Sequence, residues 1–447
     1  MKKLFYFLLA SISALILNLS ACSDEALMPD TGKELDHATQ GSRLAIALCN
    51  AEAFFFQMGE STRSPRTVSN VSTICSPLTR NGEQDTLFFI VNYGEDQGFA
   101  VLGADPGRND IYAIAPAGNL TVEDVNATPF LSDFMNDVYE HTSIIPPTDS
   151  IKFSGHDMWA YVNENYQKPL LNPIVNNWHQ LNPYNTAVDM YAAGCVPVAV
   201  GSLLSFYRQP DSLNYFWNIN TVPKFDFNWD LMLASPQEDL SDLTVSEMFA
   251  FLGCDRLLNT KYISDQAAST SVANISHTII TLGGYGLLFE NESLTDSFED
   301  VINFILYGKK VIKLRYDLKY EFAPVLAYGK GEEVEQHHVW VIDGVVTRKK
   351  YMVDYRGVPI EPIPIGGHPT YYPAIPLWHC VWGQTNKKWD GWFAYLKDTN
   401  KLDSIQYNPF GNKGYKTGIK MSPVYKDWTI FGGCFPKTII KIGGGIQ

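Results

Sequence analysis

The spacing of apolar residues changes along this chain, from short strand-like runs near the N-terminus to a helical repeat in the middle and then to strand-like runs again. In the first part, three apolar runs are separated by turns rich in glycine, aspartate and asparagine, which predicts an antiparallel meander. A helical repeat on each side completes a small α+β unit. The predicted elements are a helix over residues 43–58, strands over 87–93, 98–102 and 111–115, and a helix over 128–141.

The centre of the chain carries another helical repeat, with an apolar face that extends from Val196 to Tyr207. Pro197 is compatible with a helix only in the first turn, where its missing N–H leaves no hydrogen bond unmade. This helix is therefore predicted to begin at about Cys195 and to end before Pro210.

The remaining pattern places strands after helices, which favours an α+β fold with an antiparallel sheet. Residues 347–349 are predicted as the turn of a hairpin, and the proline-rich stretch 356–376 as a loop. The other predicted elements are helices over 151–167, 246–257 and 273–282, and strands over 311–316, 339–345, 350–355, 378–382 and 390–395.

Composition sets the size and class of the protein. The chain has 447 residues, of which 45% are hydrophobic, and its formal net charge is −14. This length indicates two domains, each able to bury a core. The acidic balance disfavours nucleic acid as a partner, and it disfavours electrostatic binding to an anionic membrane.

The N-terminus is predicted to be a targeting segment. Two lysines precede an apolar run over residues 4–17, which is too short for a membrane span and typical of a signal peptide. The run ends in Leu-Ser-Ala-Cys at Cys22, which resembles a bacterial lipobox, and Ser-Asp-Glu follows. The resemblance implies lipidation of Cys22 and an outer-membrane lipoprotein at the cell surface, with release after maturation as one alternative. An ordinary secretory signal is the other.

The cysteines do not form a recognisable framework. No CxxC spacing occurs, so neither a zinc site nor a thioredoxin-like motif is indicated, and no metal or cofactor is expected. A disulfide between Cys49 and Cys75 stays open. The seven cysteines are Cys22, Cys49, Cys75, Cys195, Cys254, Cys380 and Cys434.

The candidate chemistry centres on Cys195. A thiol at a helix N-terminus is placed where unpaired N–H groups and the helix dipole favour the nucleophilic thiolate. Such a nucleophile needs a base, and His338 stands at the head of a predicted strand. The separation of the two residues falls within the range of about 130–150 residues that is typical of papain-like enzymes. An inert buried cysteine and a structural histidine are the alternatives.

Five sequence strings, taken in order, resemble the streptopain-like cysteine proteases of bacteria. They are KPLL, WHQLNPYN, AAGCVPVAVGSLLSFYRQP, HHVWVIDG and HCVWGQTNKKWDGWF, and the resemblance covers roughly residues 40–400. Proteins of this family have a papain-like α+β fold, with a helical part that carries the cysteine and an antiparallel sheet that carries the histidine. They are made as zymogens. The resemblance implies a pro-domain over 41–167 and a catalytic domain over 168–447. The N-terminal pattern places a signal peptide over 1–21 and a polar tether over 22–40 before them.

The resemblance also assigns roles to matching positions. Cys195 would be the nucleophile and His338 the base. Gln180 would donate to the developing oxyanion together with the Cys195 backbone N–H, and Trp382 would cover and orient the histidine. The family pattern Asn-Trp-Gly-Trp is Val-Trp-Gly-Gln here, beginning at Val381. The missing asparagine amide predicts a less efficient enzyme.

These observations predict an exported, lipid-anchored cysteine endopeptidase made as a zymogen. Its partners would be protein or peptide substrates and its own pro-domain as an intramolecular inhibitor, with no nucleic acid and no membrane contact beyond the lipid. One alternative is a catalytically weak or inactive surface lipoprotein that binds a protein or glycan. The other is a papain-fold amidase of the cell wall. Residues 401–447 are predicted to be an extension of the sheet or a tail.

Overall fold

The computed structural model describes the chain in the following segments. They are 34–58, 66–76, 85–105, 108, 110–144, 158–208, 211–213, 225–235, 238–265, 267–270, 274, 278, 287–289, 324–330, 337–353, 372–384, 388–394 and 420–426.

The N-terminal unit, residues 34–144, consists of a meander of strands with helices packed on it. A further strand, β5, follows it. The elements in chain order are α1 (Glu34–Gln57), β1 (Val68–Cys75), β2 (Thr86–Tyr93), β3 (Phe99–Gly103), β4 (Ile111–Ala115), α2 (Val122–Ala127), α3 (Pro129–Ile144) and β5 (Met158–Gln167).

The C-terminal part begins with helices and continues into strands. Short 3₁₀ turns at Pro173–Asn177 and Thr186–Val188 lead to the first of these helices. The elements are α4 (Cys195–Tyr207), β6 (Ser212–Leu213), β7 (Phe225–Asp226), α5 (Trp229–Met232), α6 (Asp239–Leu252), β8 (Lys261–Tyr262), β9 (Ala268–Ser269), β10 (Leu287–Phe289), β11 (Val325–Lys330), β12 (His337–Val353), β13 (Tyr372–Pro373), β14 (Leu377–Val381), β15 (Gly391–Ala394) and β16 (Lys420–Lys426).

Twelve of the described strands form one sheet with antiparallel pairings, and its main path runs β1-β2-β3-β4-β15-β14-β12-β11-β16-β10. The long strand β12 holds the sheet together. Its first half pairs with β11 and β14, and its second half pairs with β5 and β13. The overall α+β class, with helices that precede an antiparallel sheet, is confirmed.

The N-terminal unit and the C-terminal sheet are continuous. Strand β4 pairs with β15, so that Ile114 faces Trp392 across the ladder. The Phe54 ring packs edge-on against Trp392 at 6.0 Å, and Phe134 packs against Phe393 at 5.4 Å. Because these rings are buried from both sides, the two parts share one hydrophobic core.

A second core lies on the opposite face of β12. Alternate strand residues point to opposite faces, so Val339 and Val341 pack with the helices α4 and α6, whereas Trp340 and Ile342 pack in the core shared with the N-terminal unit. Strand β12 is therefore the wall between the two cores.

Two sequence predictions are wrong. The predicted helix over 151–167 is a strand in its described part, because residues 158–167 form β5, which pairs along the second half of β12. The predicted hairpin over 339–355 does not turn at 347–349. One strand runs through this stretch, with only a shift of register between Thr347 and Arg348. In both cases a partner strand distant in sequence supplies hydrogen bonds that local periodicity does not reveal.

Other elements were predicted with shifted ends or were missed. The meander strands and the helix over 128–141 are confirmed, but α1 begins at Glu34, within the stretch predicted as a tether. Helix α6 starts earlier than predicted, where the Glu238 N–H donates to the Ser241 hydroxyl at 3.4 Å, and it stops at Gly253. Strand β16 extends the sheet beyond residue 400. The predicted strand over 311–316, and the predicted helix over 273–282 except for positions 274 and 278, lie outside the described residues.

Three features of the described residues concern disulfide bonds, metal sites and membrane-spanning helices. Cys49 and Cys75 are both free thiols, so the disulfide left open between them is absent. Within the described ranges, no cluster of His, Cys, Asp or Glu side chains is placed to hold a metal ion. None of the helices in the same ranges has both the length and the apolar character that crossing a bilayer requires.

Candidate active site

Cys195 is the first residue of α4, as predicted. The residue before it, Gly194, caps the helix with a φ of 94°, a backbone conformation that glycine adopts without strain. Pro197 lies in the first turn, where no backbone hydrogen bond is lost. The sequence Gly-Cys-Val-Pro thus fixes the thiol at the start of the helix, and Cys195 keeps partial solvent exposure.

The segment before the cysteine is fastened to its surroundings by backbone hydrogen bonds. The N–H of Ala193 donates to the carbonyl of Gln180 at 2.8 Å, and the N–H of Ala192 donates to that of Ser264 at 2.9 Å. The first bond places the backbone of Gln180 beside the extended segment that leads into Cys195. The two residues therefore have a fixed spatial relation although they are distant in sequence.

The Cys195 sulfur meets β12 next to His338. Burial raises the pKa of the thiol. The backbone N–H groups of Val339, the residue that follows His338, and of Cys195 and Val196 act by hydrogen bonding to lower the pKa of the thiol, and they offset only part of that rise. The N-terminus of α4 and the head of β12 are thus brought together at the sulfur.

The His338 imidazole is held between two indole rings. It stacks on Trp340 and on Trp382, with centroid separations of 6.1 and 6.0 Å. Its Nε2 lies 3.1 Å from the carbonyl oxygen of Trp382, which accepts a hydrogen bond from the Nε2–H tautomer. Nδ1 is then the ring nitrogen left to receive a proton. Burial lowers the pKa of His338 to about 4, although the Trp382 carbonyl opposes that shift.

The Gln180 side chain is nearly buried, with 6% exposure, and its amide has a fixed partner. Nε2 of Gln180 donates to Oε1 of Gln384 at 2.6 Å. A primary amide carries two N–H donors, so this bond leaves the second donor for another acceptor. The four residues predicted as a catalytic set, Cys195, His338, Gln180 and Trp382, therefore surround the start of α4.

Comparison with known protein families finds a match over the stretch that contains these four residues. Residues 178–393 match the Peptidase C10 family, the streptopain family. This segment belongs to the Peptidase C10 family. The match contains all four predicted residues, and it supports a streptopain-like cysteine peptidase. No curated protein matches the chain.

Among solved structures, a fragment of Prevotella intermedia prointerpain A is similar with a TM-score of 0.43 and 14% sequence identity. The similarity covers 79% of this chain and 98% of that one. The active wild-type interpain A cysteine protease of the same organism has a TM-score of 0.34 and 16% identity, over 57% of this chain and 94% of that one.

The C10 segment, residues 178–393, has Val381 where the resembled pattern has an asparagine. In the structure, another group forms the hydrogen bond with the His338 imidazole. Val381 is buried in the core on the α4 side of the sheet. The backbone carbonyl of Trp382 accepts the hydrogen bond of the imidazole instead. The orientation of His338 therefore does not depend on a side-chain amide at position 381.

The loop that carries this carbonyl is fixed by Asp390. The carboxylate accepts the N–H of Trp382 at 2.7 Å, and it also accepts that of Gly383. Burial raises the pKa of Asp390 to about 7, with partial compensation by these hydrogen bonds and by His379. Gly383 has a φ of +60°, and a Cβ there would lie 2.5 Å from Val198 Cγ1. Only glycine lets the loop approach α4 so closely.

A buried pair near the site was missed by the sequence analysis. Nδ1 of His379 lies 2.6 Å from the Asp343 carboxylate, and both side chains are almost fully buried. The other Asp343 oxygen accepts the backbone N–H groups of Leu170 and Leu171. This pair joins β12 and β14 to the segment that follows β5. The available signal was the polar residue in each of two apolar strands, since buried polar groups are paired.

The two pKa shifts predict how the thiol reacts in the uncut chain. Between pH 4 and the raised pKa of the thiol, both Cys195 and His338 are neutral. Only the thiolate reacts with iodoacetamide, so alkylation of Cys195 should accelerate about tenfold per pH unit from about pH 6 to about pH 8. Mass spectrometry of the Cys195 peptide at short times measures the rate. A rate already at its plateau near about pH 5 would instead reveal a preformed thiolate–imidazolium pair.

Restoring an amide at position 381 should not improve the enzyme. In Val381→Asn, a polar group enters an apolar core and leaves its hydrogen-bonding atoms unsatisfied, which costs roughly 1–3 kcal/mol. We expect a lower urea midpoint and an unchanged kcat per folded molecule. Val381→Ala, which removes volume without adding polarity, is the control for packing. A higher kcat at unchanged stability would mean that the new amide reaches the imidazole.

Proposed function

We propose that this chain is an exported, lipid-anchored cysteine endopeptidase, made as a zymogen, in which Cys195 and His338 perform the chemistry. The observation that carries this proposal is the packing of the start of α4, which carries Cys195, against the head of β12, which carries His338, within the C10 segment. Gln180 and Trp382 take the supporting roles.

Acylation follows from the placement of the hydrogen bonds. The Trp382 carbonyl engages Nε2 of His338, which leaves Nδ1 to take the proton of the Cys195 thiol as the sulfur attacks the peptide carbonyl carbon. The second N–H of the Gln180 amide and the Cys195 backbone N–H donate to the oxygen as negative charge develops on it. His338 then returns its proton to the leaving amine, the C–N bond breaks, and a thioester remains.

Deacylation uses the same groups in reverse. Neutral His338 takes a proton from water, whose oxygen attacks the thioester carbonyl, and the C–S bond breaks. The sulfur leaves as a thiolate and recovers the proton from the imidazolium. The acid product departs, and the enzyme returns to its starting state without consuming any other reagent.

Latency of the uncut chain is supported by the environment of the two reactive groups. A raised thiol pKa and a lowered imidazole pKa favour the unreactive neutral pair at neutral pH. The N-terminal unit reaches the site through ring contacts, because Phe134 packs on Phe393 and Phe393 packs edge-on against Trp382 at 5.1 Å. We propose that the unit, as a pro-domain, stabilises this neutral state until it is displaced.

Labelling with an epoxide inhibitor of papain-like enzymes tests the peptidase proposal. The reagent should modify Cys195 in the wild-type chain, and incubation that shortens the chain upstream of the C10 segment should increase the labelled fraction. Cys195→Ala should abolish both labelling and peptide hydrolysis.

Cys254→Ala is the matched control, since Cys254 is also a free, partly exposed thiol in the C-terminal part of the chain. Its labelling and hydrolysis should equal those of the wild type. Labelling that persists in Cys195→Ala would refute the assignment of the nucleophile. A wild-type chain that is labelled but cleaves only cell-wall peptides would favour the amidase. A wild-type chain that is neither labelled nor able to cleave any peptide would favour a binding protein.

Anchoring by lipid is supported by the sequence alone, through the lipobox-like string that ends at Cys22. In cells that express the full chain, the protein should partition into the detergent phase and incorporate radiolabelled palmitate. Cys22→Ser should lose the label and move to the aqueous phase. Equal partitioning of the two forms would contradict a lipid anchor and favour an ordinary secretory signal.

A further inference from the structure

Gln384 occupies the position at which the resembled pattern has its second tryptophan, and it contacts the residue that would stabilise the oxyanion. Its Oε1 accepts a hydrogen bond from Nε2 of Gln180 at 2.6 Å. A tryptophan has no acceptor on its side chain, so this contact is specific to the residue present here. It joins the loop after β14 to the turn that precedes the nucleophile.

The hydrogen bond restricts an otherwise loose side chain. A glutamine has three rotatable bonds, and its terminal amide rotates over a broad range. Binding one of the two N–H groups of Gln180 to a fixed acceptor sets the plane of the amide, and that plane determines where the second N–H points. Donors aligned before the reaction stabilise developing charge without reorganisation at the moment of reaction.

Gln384 can serve as such an acceptor because its own backbone is fixed. Asp390 holds the N–H groups of Trp382 and Gly383, and Gly383 lies against Val198 on α4. The same three-residue segment therefore presents the backbone carbonyl of Trp382 to His338 and the side-chain oxygen Oε1 of Gln384 to Gln180. Both supporting contacts of the site originate from one anchored loop.

We propose that Gln384 is a positioning residue that orients the Gln180 amide toward the oxyanion of the acylation step. This inference rests on the proposed function, in which Gln180 donates to that oxyanion. Gln384 itself makes no bond to substrate, and it acts only through Gln180.

The experiment compares Gln384→Met, which keeps the length of the side chain and removes the acceptor, with the wild type. All variants are cut by tagged wild-type enzyme, which is then removed, and active sites are counted by iodoacetamide titration of Cys195. Loss of one oxyanion donor costs about 10²–10³ in kcat, so misorientation of that donor should lower kcat by roughly 10- to 100-fold. KM should change little.

Alkylation of Cys195 by iodoacetamide separates positioning from structural damage. That reaction passes through no oxyanion, so its rate should be the same in Gln384→Met and in the wild type. Asn185→Leu is the matched control, because Asn185 is a buried amide residue within the C10 segment whose side chain donates to the Met190 carbonyl. It should leave both kcat and the alkylation rate unchanged.

A double-mutant cycle assigns the route of the effect. In a Gln180→Ala background, Gln384→Met should cause no further loss of kcat, because the residue through which it acts is gone. Additive losses, an unchanged kcat, a raised kcat or a parallel fall in the alkylation rate would each overturn the inference. These outcomes differ from failure of the proposed function, in which the wild type itself would not hydrolyse peptides through Cys195.

Discussion

The packing of α4 against β12, where Cys195 lies in the same cluster as Val339, is the contact on which the site depends, because it joins the two halves of the C-terminal part. On one side, the N-terminus of α4 supplies the thiol. On the other, β12 supplies the imidazole from the neighbouring position. Strand β12 also separates the two cores, so a displacement of this strand would disturb the packing of both. The geometry of the reactive pair is therefore tied to the rigidity of the whole sheet.

Backbone groups perform much of the orientation in this site. The imidazole is fixed by a carbonyl, the sulfur by N–H groups, and the loop over α4 by two N–H groups that donate to Asp390. A backbone contact survives side-chain substitution as long as the loop keeps its path. This explains how the C10 segment keeps its arrangement with valine at position 381.

The sequence predicted what depends on neighbouring residues. The start of α4 at Cys195 followed from a glycine and a proline beside it, whereas the grouping of the four candidate residues followed from the resemblance to a known family. Strand β5 and the unbroken β12 were missed because they depend on pairs such as Asn163 with Arg348, which lie far apart in the chain. The contact of Gln384 with Gln180 was missed for the same reason. Local periodicity carries no information about such partners.

The continuous ladder from β4 to β15 has a consequence for the timing of activation. Severing the chain upstream of β5 removes one covalent link but leaves that ladder and the contacts of Phe54 and Phe134 intact. Separation of the fragments would expose Trp392 and Phe393 to water at a cost in free energy. A nicked molecule would therefore persist as a two-fragment complex, and the lag before full activity would follow the rate of dissociation rather than the rate of cutting.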